Sequence, residues 1–161
     1  MTERRAAVVT ISDSVAAGTS TDASGPVAVR ELSALDFDVV EQVTVEDGVE
    51  SVSGVLVQLC EQVDLVVTTG GTGLGPRDLT PEATRAVIDR EIPGIAEAMR
   101  SATFGRIPFG MLSRGVAGTI GGSVIVNLPG SPKAVIEGLT VIGEALTHAV
   151  DVASGNFGRH D

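Results

Sequence analysis

The chain of 161 residues is 43% hydrophobic and carries a formal charge of -10, with no Trp or Tyr, four Phe and a single Cys. That length supports a substantial core without disulfide or metal staples, and a mean hydropathy of +0.30 excludes a disordered polar chain. The acidity repels polyanions and the missing aromatic platforms leave nothing for bases to stack on, so nucleic acid is excluded as a partner.

The N-terminal "MTERRAAVVTISDS" has no signal-peptide core, and Ala6 to Ser12 reads as a continuous apolar strand of the kind buried on both faces of a parallel sheet. Asp13 to Gly25 reads as a small polar loop, and Ser24-Gly25-Pro26 as a helix start followed by apolar Val27, Val29, Leu32 and Leu35. Phe37 to Val45 alternates as a second strand ending at Glu46-Asp47-Gly48, and Val49 to Gln62 has helical spacing. Asp64 to Thr69 is the third strand. Thr80-Pro81-Glu82 opens the next helix, with a hydroxyl cap, Pro in the first turn and an acid facing the dipole. Another helix starts near Ile92-Pro93-Gly94 and runs through Met99. Met111 to Asn127 is glycine-punctuated and strand-like, clearest at Ser123 to Asn127, and a last long helix spans Pro132 to Ala153 before a frayed tail over 155–161.

Strands alternating with helices imply an α/β three-layer sandwich around a mostly parallel sheet, organised as one domain over 1–161 without repeats or linkers. The uncharged stretch Gly115 to Pro132 is interrupted by glycines, Ser123, Asn127 and Pro129, so a membrane span is not expected. Cys60 has no partner for an internal disulfide and lies in an apolar helical pattern, which points to an inert buried thiol and a cytoplasmic setting. His148 and His160 carry no partner pattern and are assigned no role.

Ligands of open α/β sheets sit at the carboxyl ends of strands. Three loops there hold unusual residues: "SDS" after the first strand, "GGTGLGPRD" after the third and "NLPGSPK" after the last. Glycines let main-chain amides approach an anion, and a following helix start adds partial positive charge. The spacing is neither a Walker A loop nor a dinucleotide fingerprint. Taken alone, the loop is either a tight turn or an anion cradle.

Asp78 admits two readings. As a carboxylate within an anion-binding loop it calls for a divalent cation, because Mg²⁺ bridges protein carboxylates and phosphates; otherwise it caps the Thr80 helix or pairs with Arg77. Asp47 is either an Asp-Gly turn residue or a second acid of the site, and Asp13 stands in the same position after the first strand. Lys133, the only lysine, sits at a helix start where the dipole disfavours it, so either an anion lies nearby or the side chain is solvated. Ser131 reads as the cap ahead of Pro132.

"TTGGTG" with "PRDLTPEAT", "MLSRGVAG" and "NLPGSPKAV", preceded by "TISDSVAAG" and "DASGP", closely resembles the molybdopterin-binding family of molybdenum-cofactor biosynthesis, which includes the bacterial Mog and MoaB proteins and the gephyrin G domain. The likeness runs from about Val8 to Val152. It implies a molybdopterin adenylyltransferase, in which the terminal phosphate of molybdopterin attacks the α-phosphorus of ATP and pyrophosphate leaves. The family's essential acids fall on Asp78 and Asp47, implied Mg²⁺ ligands or charges that position the metal-bound triphosphate. Gly70, Gly71, Thr72 and Gly73 would cradle the pterin phosphate, with Ser12, Asp13 and the Asn127, Pro129, Gly130 and Ser131 loop lining the same cleft and Arg77, Thr80 and Lys133 beside it.

Relatives of the MoaB type that lose the Arg-Asp-Thr-Pro pattern also lose activity; retention of Arg77, Asp78, Thr80 and Pro81 favours a working enzyme. The resemblance further implies a homo-oligomer, a trimer first, and leaves a metal-inserting protein as a further partner. A non-catalytic pterin carrier on the same scaffold is the rival reading.

Overall fold

A computed structural model describes residues 3–156 of the chain. In chain order the elements are β1 (Arg4–Ile11), α1 (Asp13–Ala16), α2 (Ser24–Ala34), β2 (Phe37–Val45), α3 (Val49–Cys60), β3 (Leu65–Thr69), α4 (Thr80–Arg85), β4 (Arg90–Glu91), α5 (Pro93–Thr103), a 3-10 turn (Pro108–Leu112), β5 (Ala117–Ile120), β6 (Ser123–Leu128) and α6 (Pro132–Ala153). The six strands form one sheet in the order β2-β1-β3-β6-β5-β4. β2, β1, β3 and β6 run parallel, whereas β5 and β4 pair antiparallel at one edge.

The apolar runs of β1, β3 and β6 supply both faces of the sheet, as expected of central parallel strands. Ala6, Val8, Leu65, Val67, Val124 and Val126 pack with Leu32 of α2 and Val135, Leu139, Ile142 and Leu146 of α6. The alternate residues Ala7, Val9, Ile11, Val66 and Ile125 pack on the other face with Val52, Leu56 and Leu59 of α3 and Ala83 of α4. This is the expected layering of helices on both sides of a mostly parallel sheet. Gly138 and Gly143 admit neighbours against α6, since a β-carbon at Gly143 would lie 2.9 Å from Leu35 Cδ2 and one at Gly138 3.2 Å from both Leu128 Cδ2 and Met99 Sδ.

Several expectations are corrected. The polar loop after β1 begins with a one-turn helix, α1, because Ser12 Oγ accepts from the amide of Val15 and caps it. Thr80 is not the cap of α4: Leu79 occupies that position without a side-chain bond, and the Thr80 hydroxyl goes elsewhere. The glycine-rich stretch after Met111 is a 3-10 turn followed by an antiparallel β5–β6 hairpin. Of the expected frayed tail, Gly155 and Asn156 close α6 through bonds to Val152 and Asp151 carbonyls; residues 157–161, with His160, lie outside the described residues. No helix among the described residues is long and apolar enough to cross a membrane.

Register aligns the functional edge. Ile11 pairs with Val45, Thr10 with Thr69, and Thr69 with Leu128. The loops that follow β1, β2, β3 and β6 therefore emerge together.

Candidate active site

The loop after β3 leaves the sheet at Gly70, whose amide donates to the Leu128 carbonyl at 3.0 Å. Gly70 and Gly71 have φ of 94° and 69°, a region open to glycine at little cost. Space also demands glycine here: a β-carbon on Gly70 would lie 2.4 Å from Ile11 O, and one on Gly71 2.2 Å from Thr80 Oγ1 and 3.1 Å from Asp47 Oδ1.

The carbonyls of the loop are consumed one after another. Gly70 O accepts from Thr80 Oγ1 at 2.9 Å, and Gly71 O from the Thr80 amide at 3.1 Å. Thr72 O accepts from the Arg114 amide at 2.8 Å, and Gly73 O from Arg114 Nε at 2.8 Å. No peptide of the described chain is cis. In a trans peptide the N–H of the next residue points opposite to the carbonyl. The amides of Gly71, Thr72, Gly73 and Leu74 are thus turned away from Thr80 and Arg114, and among the described residues none of the four has a protein acceptor. Successive main-chain amides without protein acceptors are donors of the kind that anion sites use.

Acids flank this surface. Asp78 closes the loop by accepting the Gly75 amide on Oδ2 at 2.9 Å while its own amide donates to Gly75 O at 3.0 Å. Glycine at 73 and 75 makes room for that carboxylate, since a β-carbon at either would lie 2.9 Å from Oδ2. Asp13 and Asp47 bind each other reciprocally: the Asp13 amide donates to Asp47 Oδ2 at 3.1 Å and the Asp47 amide to Asp13 Oδ1 at 3.0 Å. Arg77 straps both, giving Nε and Nη2 to the Asp13 carboxylate at 3.1 Å each and Nη2 to the Asp47 carbonyl at 2.8 Å. Arg77 accordingly holds the Asp13 carboxyl below its ordinary pKa. Asp47 moves the other way: desolvation raises its pKa, and the nearby charges of Asp13 and Asp78 add to the rise.

The model for the probable molybdopterin binding domain matches residues 7–148. The chain belongs to that family. It is 38% identical over 154 residues to a molybdopterin adenylyltransferase of Helicobacter pylori strain J99, covering 93% of this chain and 88% of the relative. Among solved structures, the molybdopterin biosynthesis Mog protein from Mycobacterium ulcerans superimposes with a TM-score of 0.89 at 44% identity, covering 96% of this chain and 99% of that one. The tungsten cofactor synthesizing protein MoaB from Pyrococcus furiosus gives 0.84 at 34% identity, with 96% and 99% covered.

Within this family member the fold brings together Asp13, Asp47, Gly70, Gly71, Thr72, Gly73, Arg77, Asp78 and Thr80. Arg77 pairs with Asp13 rather than with Asp78. The loop after β6 leans on the glycine loop, where a β-carbon on Gly130 would lie 3.3 Å from Gly70 Cα. Pro129 borders an adjoining apolar cleft, and Ser131 caps α6 through the Ala134 amide at 3.1 Å. Ser12 stands beside the site with its hydroxyl engaged in capping α1.

One expected residue, Asn127, does not face the cleft. It is 1% exposed; its amide donates to Thr68 Oγ1 at 3.1 Å and Thr84 Oγ1 at 3.0 Å, and its oxygen accepts from the Val116 amide at 3.1 Å. That polar side chain joins β3, β6 and α4 beneath the site. Lys133 is 80% exposed and its nearest acid is Glu137, 4.0 Å away on the next turn. Cys60 is a half-buried thiol whose pKa burial raises to about 11.

Sequence reasoning missed Arg114 and Asp22. Arg114 lay in "MLSRGVAG", visible as a motif but separated from the loop it touches by some forty residues of chain. Asp22 accepts from Thr10 Oγ1 at 2.7 Å and from the Gly25 amide at 2.9 Å, so it fixes the start of α2 to the end of β1. Beside the glycine loop, α5, the 3-10 turn and α6 enclose a cleft of about 650 Å³ whose lining includes Leu74, Met99, Phe109, Leu112, Pro129 and Val141.

Proposed function

We propose that this chain is a molybdopterin adenylyltransferase of molybdenum-cofactor biosynthesis. The observation that carries the proposal is the row of four amides, Gly71 to Leu74, freed for an anion because every preceding carbonyl is tied to Thr80 or Arg114. In the reaction a terminal phosphate oxygen of molybdopterin attacks the α-phosphorus of ATP. A new P–O–P bond forms, the bond from the α-phosphorus to its bridging oxygen breaks, and pyrophosphate departs with the electron pair. Catalysis of this kind is mostly alignment and charge neutralisation. The amide row holds a phosphoryl group by directed donors, and glycine at 71 leaves room for Thr80 Oγ1 and Asp47 Oδ1 against the loop.

The acids fit Mg²⁺. This ion usually takes one or two protein carboxylates and completes its shell with water and phosphate oxygens. Asp47 and Asp78 would hold it. Asp47 is desolvated and lies close enough to Asp13 and Asp78 for both to raise its pKa, an arrangement that a cation relieves. Bound there, the ion would neutralise the triphosphate. Arg77 meanwhile keeps Asp13 charged and the β1 and β2 loops in register with the glycine loop.

Phe104 and Phe109 are each 76% exposed, Met111 56% and Leu112 44%. This apolar ground beside the α5–α6 cleft supports a homo-oligomer, a trimer first, whose mass light scattering would measure. The enzyme would act in the cytoplasm and pass its product to a metal-inserting protein.

The decisive test mixes purified protein with molybdopterin, ATP and Mg²⁺ and measures pyrophosphate against an Asp78→Ala control. Release well above the control is expected. Equal release from both, with tight pterin binding by the wild type, makes the chain a carrier instead.

A further inference from the structure

We infer that Arg114 is a positioning residue that shapes the anion site through the main chain of the glycine loop, by the fork geometry of its guanidinium rather than by its charge. The inference rests on the adenylyltransferase reading above. Arg114 Nε donates to Gly73 O at 2.8 Å and Nη2 to Asp78 O at 2.7 Å, so one planar group grips both ends of the 73–78 segment. Nη1 forms an ion pair with Glu82 on the first turn of α4, which fixes the plane of the fork from behind. Glu82 in turn is held below its ordinary pKa by that contact.

Both carbonyls have an opposite end. Because Gly73 O faces Arg114, the Leu74 amide faces away and completes the donor row. Because Asp78 O is also pinned, the backbone from which the Asp78 carboxylate projects has one orientation. Between them residues 74–77 are all exposed and include Gly75, so that untethered the loop would sample many conformations. An arginine suits the task because its rigid fork can serve two carbonyls and a carboxylate at once. A lysine at the same place presents a single point charge.

Charge and shape make different predictions, and the probe that separates them is inorganic pyrophosphate titrated into ¹⁵N-labelled full-length protein. In wild type, the amide resonances of Gly71 to Leu74 should shift on titration. Arg114→Ala should weaken pyrophosphate binding about tenfold or more and abolish the Leu74 response, with a melting temperature within a few degrees of wild type. Arg114→Lys keeps the charge and should recover less than half of the loss, while Glu82→Gln should weaken binding two- to threefold in the same direction. Should Arg114→Ala fail to fold, the Lys and Gln variants decide by the same criteria.

Full recovery in Arg114→Lys, or wild-type affinity in Arg114→Ala, overturns the positioning role while leaving the anion site standing. A wild-type titration that moves no resonance between Gly71 and Leu74 overturns the anion site itself, and this inference with it.

Discussion

Two glycine turns of this molecule look alike on paper and behave oppositely. At Gly121-Gly122, between β5 and β6, Gly121 has φ of 54°, and its amide donates to Asp89 Oδ2 at 2.7 Å. The protein supplies its own anion there, and the turn is chemically closed. At Gly70 to Gly73 the protein instead supplies donors to the carbonyls and, past Gly70, leaves the amides of Gly71, Thr72 and Gly73 without internal acceptors. Glycine content is common to both. What separates a closed hinge in the chain from a candidate anion site is the bookkeeping of carbonyls against amides.

The sharpest way to break the contrast is at Asp78. Asp78→Ala should lower adenylyl transfer at least on the order of 100-fold, the scale of losing one preorganised charge contact, while molybdopterin binding measured by calorimetry persists. A normal turnover rate would remove any metal-holding role from this carboxylate.

Next in size is Gly71→Val. A β-branched residue would be forced to positive φ with its β-carbon 2.2 Å from Thr80 Oγ1. Pyrophosphate affinity should fall more than about tenfold, the equivalent of roughly 1.4 kcal/mol; unchanged affinity would place the pocket elsewhere.

Asp47→Asn sharpens the comparison from the side of stability. A raised folded-state pKa means that the folded chain holds this proton more tightly than the unfolded chain does. The charged form therefore costs stability above both pKa values, and the cost is absent below the unfolded one. Without divalent cation, Asp47→Asn should melt a few degrees higher near pH 8 and converge with wild type toward pH 3, while adenylyl transfer drops. An Asn variant that melts lower at pH 8 would show Asp47 to be a structural anchor through the Asp13 amide.

The smallest effect belongs to Gly121→Asn. Asn tolerates the left-handed region, and nothing lies within 4 Å of the added β-carbon. A loss of no more than about 1 kcal/mol is expected, with pyrophosphate affinity unaltered. Weakened binding there would erase the distinction between the two turns.

The sheet and its two helical layers were legible because β1, β3 and β6 centre on apolar, β-branched runs and α6 keeps its 3.6-residue period from Pro132 to Ala153. β4 escaped notice because two residues have no periodicity, and α1 because four polar and small residues resemble a loop until Ser12 caps them. At the site, Gly71 and Asp78 announced themselves by type and spacing. Asn127 did not behave as its chemistry suggested, since its burial under the loop depends on the arrival of Thr68 and Thr84 from other elements. Lys133 has two readings in sequence, and in space it is exposed with Glu137 4.0 Å away on the next turn. Arg114 could not be assigned a partner at all, because the contact spans a |i−j| of 41 and 36 to Gly73 and Asp78. Local pattern carries the elements, and long-range closure carries the site.

The borders of the sheet bear on how copies of this molecule can meet. β4 offers only Arg90 and Glu91, both exposed, and β2 presents exposed Asp38 and Glu41 along its free margin. Short or negatively charged margins discourage a further strand from adding, and a second copy would bring the same repulsion with it. Lateral fusion into fibrils is thereby disfavoured by the two outermost strands, and the greasy ground near Phe104 and Phe109 exposes side chains rather than unpaired backbone.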